Sequence, residues 1–187
     1  NRVPLIIKWP GKDWNSEYDN FIYTNDMAAT ILDGVNARVP KEWDGESFFK
    51  EIKNSEDFGR DFLVISQMAW SCQRSVRFDD WILIRTYHTG LKNFPEYMLF
   101  NLENDYHMLN NLADTHPEIL NEGIRLLEKW HKEMMESSDM ETDPMWTVIR
   151  EGVPSHTRGE LKKYLRRLKR TNREEMIEVI KKRDEPY

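Results

Sequence analysis

The chain has 187 residues, 39% of them hydrophobic and 12% aromatic, with seven Trp, which is enough for one domain or one and a half with a real core. Charged residues make up 32% and the mean hydropathy is −0.76, and no apolar run reaches the length needed to span a bilayer. A single cysteine, Cys72, excludes an internal disulfide and fits a reducing, cytoplasmic-type compartment. Charge is uneven. From Arg158 onward there are eleven Lys or Arg against six Asp or Glu, whereas the first 157 residues hold sixteen against twenty-seven.

In chain order, Val3-Pro-Leu-Ile-Ile-Lys-Trp9 is a nearly continuous apolar run closed by Pro10-Gly11. It reads as a strand buried on both faces, as in a parallel sheet. Parallel neighbours need crossovers of a dozen residues or more, so the partner strands are expected outside this chain, which reads as a piece of something longer. A helix is expected across Tyr23–Gly34, capped by Thr24 or Asn25 and ended by Gly34, with Met27, Ile31 and Leu32 on one face.

From Asp61 the pattern turns β. Strands are expected at Phe62–Ser66, Ser75–Phe78, Trp81–Tyr87 and Tyr97–Leu102, with Asp79-Asp80 as a tight turn and Glu103-Asn104-Asp105 as a polar one. Thr115-His-Pro-Glu118 reads as a capping box that opens a helix to about Met135, and Leu120, Ile124, Leu127, Trp130 and Met134 would pack on the sheet. Asp143-Pro144 starts a short helix that Gly152 ends. Residues 159–170 form a basic amphipathic helix, and Thr171-Asn-Arg-Glu174 reads as a capping box for the next one.

Four ordered stretches carry a resemblance: Val3-Pro-Leu-Ile-Ile-Lys-Trp-Pro-Gly11, Asp26-Met-Ala-Ala-Thr-Ile-Leu32, Val39-Pro-Lys-Glu-Trp-Asp-Gly-Glu-Ser-Phe48, and Leu99-Phe-Asn-Leu-Glu-Asn-Asp105 with Asn110-Asn-Leu-Ala113. They resemble landmarks of the carboxy-terminal portion of sulfatases, in the alkaline-phosphatase-like superfamily. Gln73-Arg-Ser-Val76 and Glu141-Thr-Asp-Pro-Met-Trp146 are most similar to the heparan N-sulfatase branch. The last landmark departs from the family's usual pattern at Phe100, Asn101, Tyr106 and Met108. The resemblance implies an α/β parent and an α+β chain here. Residues 1–50 would end the α/β core, 51–146 would form an antiparallel-sheet subdomain with its packing helix, and 147–187 a basic helical tail.

The resemblance also implies hydrolysis of sulfate esters or sulfamates, on carbohydrate, with calcium or magnesium and a formylglycine made from Cys or Ser in a C/S-x-P-x-R motif. Cys72 is followed by Gln73-Arg74-Ser75, so it lacks that motif. The resemblance places the catalytic residues upstream, so this chain would complete the fold and wall the substrate cleft, inactive by itself. Gln67, Arg74 and His88 are the substrate-binding candidates. Arg suits sulfate through its planar fork, although a structural ion pair with a nearby carboxylate is the competing reading, as an exposed loop position is for His88. Lys92 is a lesser candidate, and Trp70 could stack on a sugar ring. Asn104, Asp105 and His107 read either as a metal cluster or as a solvated turn.

A rival from another class is a non-catalytic interaction module that uses the apolar first strand and the basic tail. The expected partners are the amino-terminal catalytic domain and a sulfated carbohydrate, with no nucleic acid and no membrane. The basic tail itself reads as a surface helix docking on the acidic body or on a second subunit of a homo-oligomer.

Overall fold

A computed structural model describes residues 3–13, 15–152 and 157–184. Asn1 therefore lies outside the described residues. The chain divides into two compact units between Arg60 and Asp61.

The first unit holds helices α1 (Thr24–Gly34) and α2 (Phe49–Asn54). The expected strand at Val3–Trp9 is corrected: these residues pair with no strand, and Val3 and Ile6 are 73% and 93% exposed. An apolar run acquires strand geometry from neighbours that share its ladder, and among the described residues of this unit the pairing is a single bridge, Phe21 to Arg60. Only the end of the run is anchored, where Trp9 packs on Phe49 with ring centroids 4.9 Å apart. Trp9 also explains Gly34. A Cβ there would lie 2.3 Å from the Trp9 ring, so the glycine permits close approach, while the left-handed residue past the helix is Asn36 (φ 57°).

Asp26 organises this unit. It is 1% exposed, and its carboxylate accepts from the backbone of Tyr23 (2.6 Å) and Glu46 (2.8 Å) and from both terminal nitrogens of Arg60 (2.5 and 3.0 Å). The residue before α1 is Tyr23 rather than Thr24 or Asn25, because Asp26 reaches back to satisfy its amide. One turn on, the Thr30 hydroxyl donates to the Asp26 carbonyl (2.7 Å) and accepts from the Phe48 amide (3.1 Å). The Asp-x-x-x-Thr spacing therefore ties the helix to the 46–48 segment, a task that needs two buried polar groups fully bonded.

The second unit is a four-stranded antiparallel meander, β1 (Phe62–Gln67), β2 (Cys72–Phe78), β3 (Trp81–His88) and β4 (Tyr97–Asn101), in the order β1-β2-β3-β4. Register places Val64 opposite Val76, Val76 opposite Leu83 and Leu83 opposite Leu99. These four share one face, and α3 (Pro117–Ser137) lays Leu126 and Leu127 on it, closing the core. Asp79 takes φ 40° in the two-residue turn between β2 and β3. The four strands and the covering helix match the α+β expectation; β2 begins three residues earlier than its apolar pattern suggests.

The segment after β4 folds back along it. Asn111 Oδ1 accepts from the amides of Leu99 (2.9 Å) and Ala113 (3.1 Å), and the Leu112 amide donates to the Leu99 carbonyl (2.8 Å). Asp105 accepts from the Leu109 and Asn110 amides (2.8 Å each), which hold its carboxyl below the usual range. The Thr115–Glu118 capping box does not form: the residue preceding α3 is His116, without a side-chain cap, and the Thr115 hydroxyl donates to the Leu112 carbonyl (3.2 Å).

Three helices follow: α4 (Pro144–Arg150), α5 (Leu161–Arg170) and α6 (Glu175–Asp184). Buried Leu168, Ile177 and Ile180 pack α5 against α6, with Leu91 of the sheet unit joining them. Thr171 caps the end of α5, donating to the Arg167 carbonyl (2.9 Å), instead of opening α6. Among the described residues no helix is long and apolar enough to cross a membrane.

Candidate functional site

Two polar constellations sit at the end of the sheet where β1 turns into β2. On the face away from α3, Gln67 pairs across the strands with Gln73, and Gln73 with Thr86. Gln67 Nε2 donates to Gln73 Oε1 (2.7 Å) and to Ser71 Oγ (3.0 Å), and Ser71 Oγ donates to the same Gln73 oxygen (2.8 Å). Gln73 Nε2 passes the chain on to Thr86 Oγ1 (3.0 Å). Gln73 and Thr86 are buried while Gln67 is exposed, so the network fixes the orientation of its solvent-facing member.

A register shift at Cys72/Gln73 brings His88 opposite Cys72. His88 is buried, and its Nδ1 accepts from the Gly90 amide (3.1 Å), which leaves the proton of the neutral ring on Nε2. Gly90 has φ 64°, and a Cβ there would lie 1.9 Å from the Trp70 carbonyl, so glycine lets the two turns touch. On the outer side, Trp70 is 64% exposed, and Lys92 donates to its carbonyl (2.8 Å) with the ammonium 5.6 Å from the ring centre. Gln67, Trp70 and Lys92 thus form a rim of amide, aromatic face and cation at the sheet end where His88 is buried.

The second constellation lies on the α3 face. Arg74 is buried and makes a two-point pair with Asp143, at 2.6 and 2.7 Å, and its Nε donates to Ser66 Oγ (3.2 Å). Its guanidinium also stacks 5.1 Å from the Trp130 ring centre. Asp143 additionally accepts from the Met145 amide (2.9 Å), starting α4, and His131 Nε2 lies 3.0 Å from it. Burial alone would raise the Asp143 carboxyl, but the bonds from Arg74 and Met145 outweigh it and hold the group below its ordinary range. A cavity of about 190 Å³ borders this cluster, lined by Met68, Met134, Met135 and Met140 beside Trp130 and His131.

The structure therefore brings Gln67 and His88 to one sheet end and turns Arg74 to the opposite face, with its fork engaged by Asp143. The competing reading of Arg74, an ion pair with a carboxylate, is the one the structure shows, with Asp143 as a partner the sequence did not name, and sequence reasoning missed His131. His131 follows Leu127 by four residues, a helical spacing that placed it beside the sheet-facing stripe. The Asp143 partner is 69 residues from Arg74, and no local signal spans that distance.

Cys72 is fully buried and is followed by Gln73-Arg74-Ser75, so it does not fit a formylglycine precursor. Among the described residues no group of three His, Cys, Asp or Glu side chains could hold a metal ion. The Asn104–His107 segment is a solvated turn built on the backbone bonds of Asp105.

Comparison with known proteins accounts for this architecture. The chain is 26% identical over 148 residues to an uncharacterized protein of Haemophilus influenzae, which is 79% of this chain and 74% of that one. Its fold is similar to a structure solved in complex with its substrate D-glucosamine-2-N,6-O-disulfate (TM-score 0.51, 20% identity, 63% of this chain and 25% of that one). It is also similar to a structure from work on the metabolism of multiple glycosaminoglycans by Bacteroides thetaiotaomicron (TM-score 0.54, 20% identity, 81% of this chain and 33% of that one). The chain thus spans a quarter to a third of those two proteins. The family described as N-sulphoglucosamine sulphohydrolase, C-terminal, matches residues 1–140, and the chain belongs to that family.

Proposed function

We propose that this chain is the carboxy-terminal part of a sulfatase that hydrolyses sulfate esters or sulfamates on carbohydrate. The family match over residues 1–140 carries the reading. In this role the chain supplies no catalytic group. A formylglycine residue and a calcium or magnesium ion, which offsets the charge of the sulfate, belong to the amino-terminal part of the protein. The exposed apolar residues Val3 and Ile6 support such a part as the partner, since they have nothing to bury against among the described residues of their own unit.

The rim of Gln67, Trp70 and Lys92 is the wall offered to substrate. An aromatic face suits the apolar side of a sugar ring, and the amide and ammonium suit its hydroxyl and sulfate oxygens. His88 supports the rim through Gly90, and Arg74 holds α4 against the sheet through Asp143.

The test is to express the full reading frame that contains this chain and measure sulfate release from N-sulfoglucosamine and from 6-O-sulfated glucosamine. The longer product loaded with calcium should release sulfate, and the 187-residue chain alone should not. A reading frame that begins at this chain, or a longer product without sulfate release, would overturn the proposal in favour of an interaction module.

A further inference from the structure

The carboxy-terminal helices carry a feature that the cleft wall does not use. Helix α5 contains six cations, Lys162, Lys163, Arg166, Arg167, Lys169 and Arg170, and all six are exposed. At 3.6 residues per turn they occupy a continuous arc of about 160°, while Leu161, Tyr164, Leu165 and Leu168 fill the opposite arc. Among the described residues Lys163 alone of the six has a carboxylate within ion-pair distance, that of Glu160 at 2.7 Å. The tail is held instead by apolar contacts of Leu168, Ile177 and Ile180. The cations are thus turned outward. Between α5 and α6 an open groove of about 560 Å³ continues the patch, lined by Lys162, Arg166, Lys169 and Lys181 against Glu174 and Glu178.

We infer that this basic face binds a sulfated polysaccharide chain, holding polymeric substrate through residues other than those of the cleft wall. The inference rests on the sulfatase reading for the choice of polyanion. Two rows of cations, Lys162–Arg166–Lys169 and Lys163–Arg167–Arg170, run along a face about 12 Å long, which fits an extended chain of repeating anionic groups. Arg guanidinium forks match sulfate oxygens as they match phosphate. The other polyanions fit less well. A membrane-surface helix sinks its apolar face among the headgroups, and here that face is buried against α6. Single-stranded nucleic acid calls for aromatic platforms, and the basic arc has none.

Binding of the full 187-residue chain to heparin tests the inference, read as affinity across a salt series. The fourfold variant Lys162→Gln, Arg166→Gln, Lys169→Gln, Arg170→Gln replaces exposed cations with good helix formers, so its thermal melt should match the parent. Heparin affinity should fall at least tenfold in the variant, with the log–log salt slope reduced by about one for each cation removed. Desulfated heparin should bind the parent at least tenfold more weakly than heparin. Unchanged affinity in the folded variant would overturn the inference. So would duplex DNA or anionic phosphatidylserine vesicles binding as tightly as heparin, which would make the partner a nucleic acid or a membrane. Because these are equilibrium readouts, heparin binding without sulfate release would remove the enzymatic reading alone, and sulfate release without heparin binding would remove this one alone.

Discussion

The two units solve the same problem with different materials. In the first, a carboxylate does the organising: Asp26 gathers Tyr23, Glu46 and Arg60 around one buried charge, and apolar residues such as Val3 and Ile6 remain in solvent. In the second, a continuous apolar layer between sheet and helix does it, and the Arg74–Asp143 pair only fastens α4 at the margin. Breaking a buried ion pair leaves an uncompensated charge, whereas truncating a core residue leaves a cavity. The first unit should therefore fail abruptly on a single polar change, and the second should yield in proportion to the volume removed.

The largest effect is expected from Arg60→Ala, which strands Asp26 without its fork and should cost about 3–5 kcal/mol. Amide hydrogen exchange at α1 measures it, and unchanged protection there would break the contrast. Leu99→Ala should cost about 2–5 kcal/mol, and Leu99→Met much less, because the core responds to volume. Denaturant midpoints for the pair sharpen the comparison, and equal losses would contradict it.

A smaller effect, about 1–3 kcal/mol, is expected from Arg74→Lys, which replaces a two-point bond with a point charge. This pair also sets a pH dependence. The Asp143 carboxyl is depressed in the folded chain, so its contribution is fully present above the unfolded value near 3.9 and is lost as pH falls through the folded value. Acid titration followed by near-ultraviolet signal from Trp130 should show loss below about pH 4, and Arg74→Lys should move that loss upward.

How much of this was legible in the sequence follows from the range of the interactions. The strands at Phe62 and Trp81 and the helix after His116 announced themselves through alternation and helical spacing, because each buries one face on neighbours close in the chain. The Val3–Trp9 run misled because an apolar run takes strand geometry only where neighbours share its ladder, and among the described residues none pairs with it. The start of β2 was hidden for a different reason: Cys72-Gln73-Arg74 spends its polar side chains on hydrogen bonds across the sheet and to Asp143, so no apolar alternation marks it. Two capping boxes failed because Thr115 and Thr171 hydroxyls bond carbonyls behind them, an option any Thr has near a helix end. Of the candidate site residues, Gln67 and His88 came to one sheet end, and only the register shift at Cys72/Gln73, invisible in sequence, brings the second opposite Cys72.

On the proposed reading, exposed Val3 and Ile6 belong to a surface that the rest of a sulfatase covers. Fluorescence of a hydrophobic dye on the chain alone, beside the variant Val3→Ser, Ile6→Ser, tests it most directly. Strong dye binding and self-association are expected of the parent chain, both reduced in the variant. A monomeric parent chain that leaves the dye dark would contradict it.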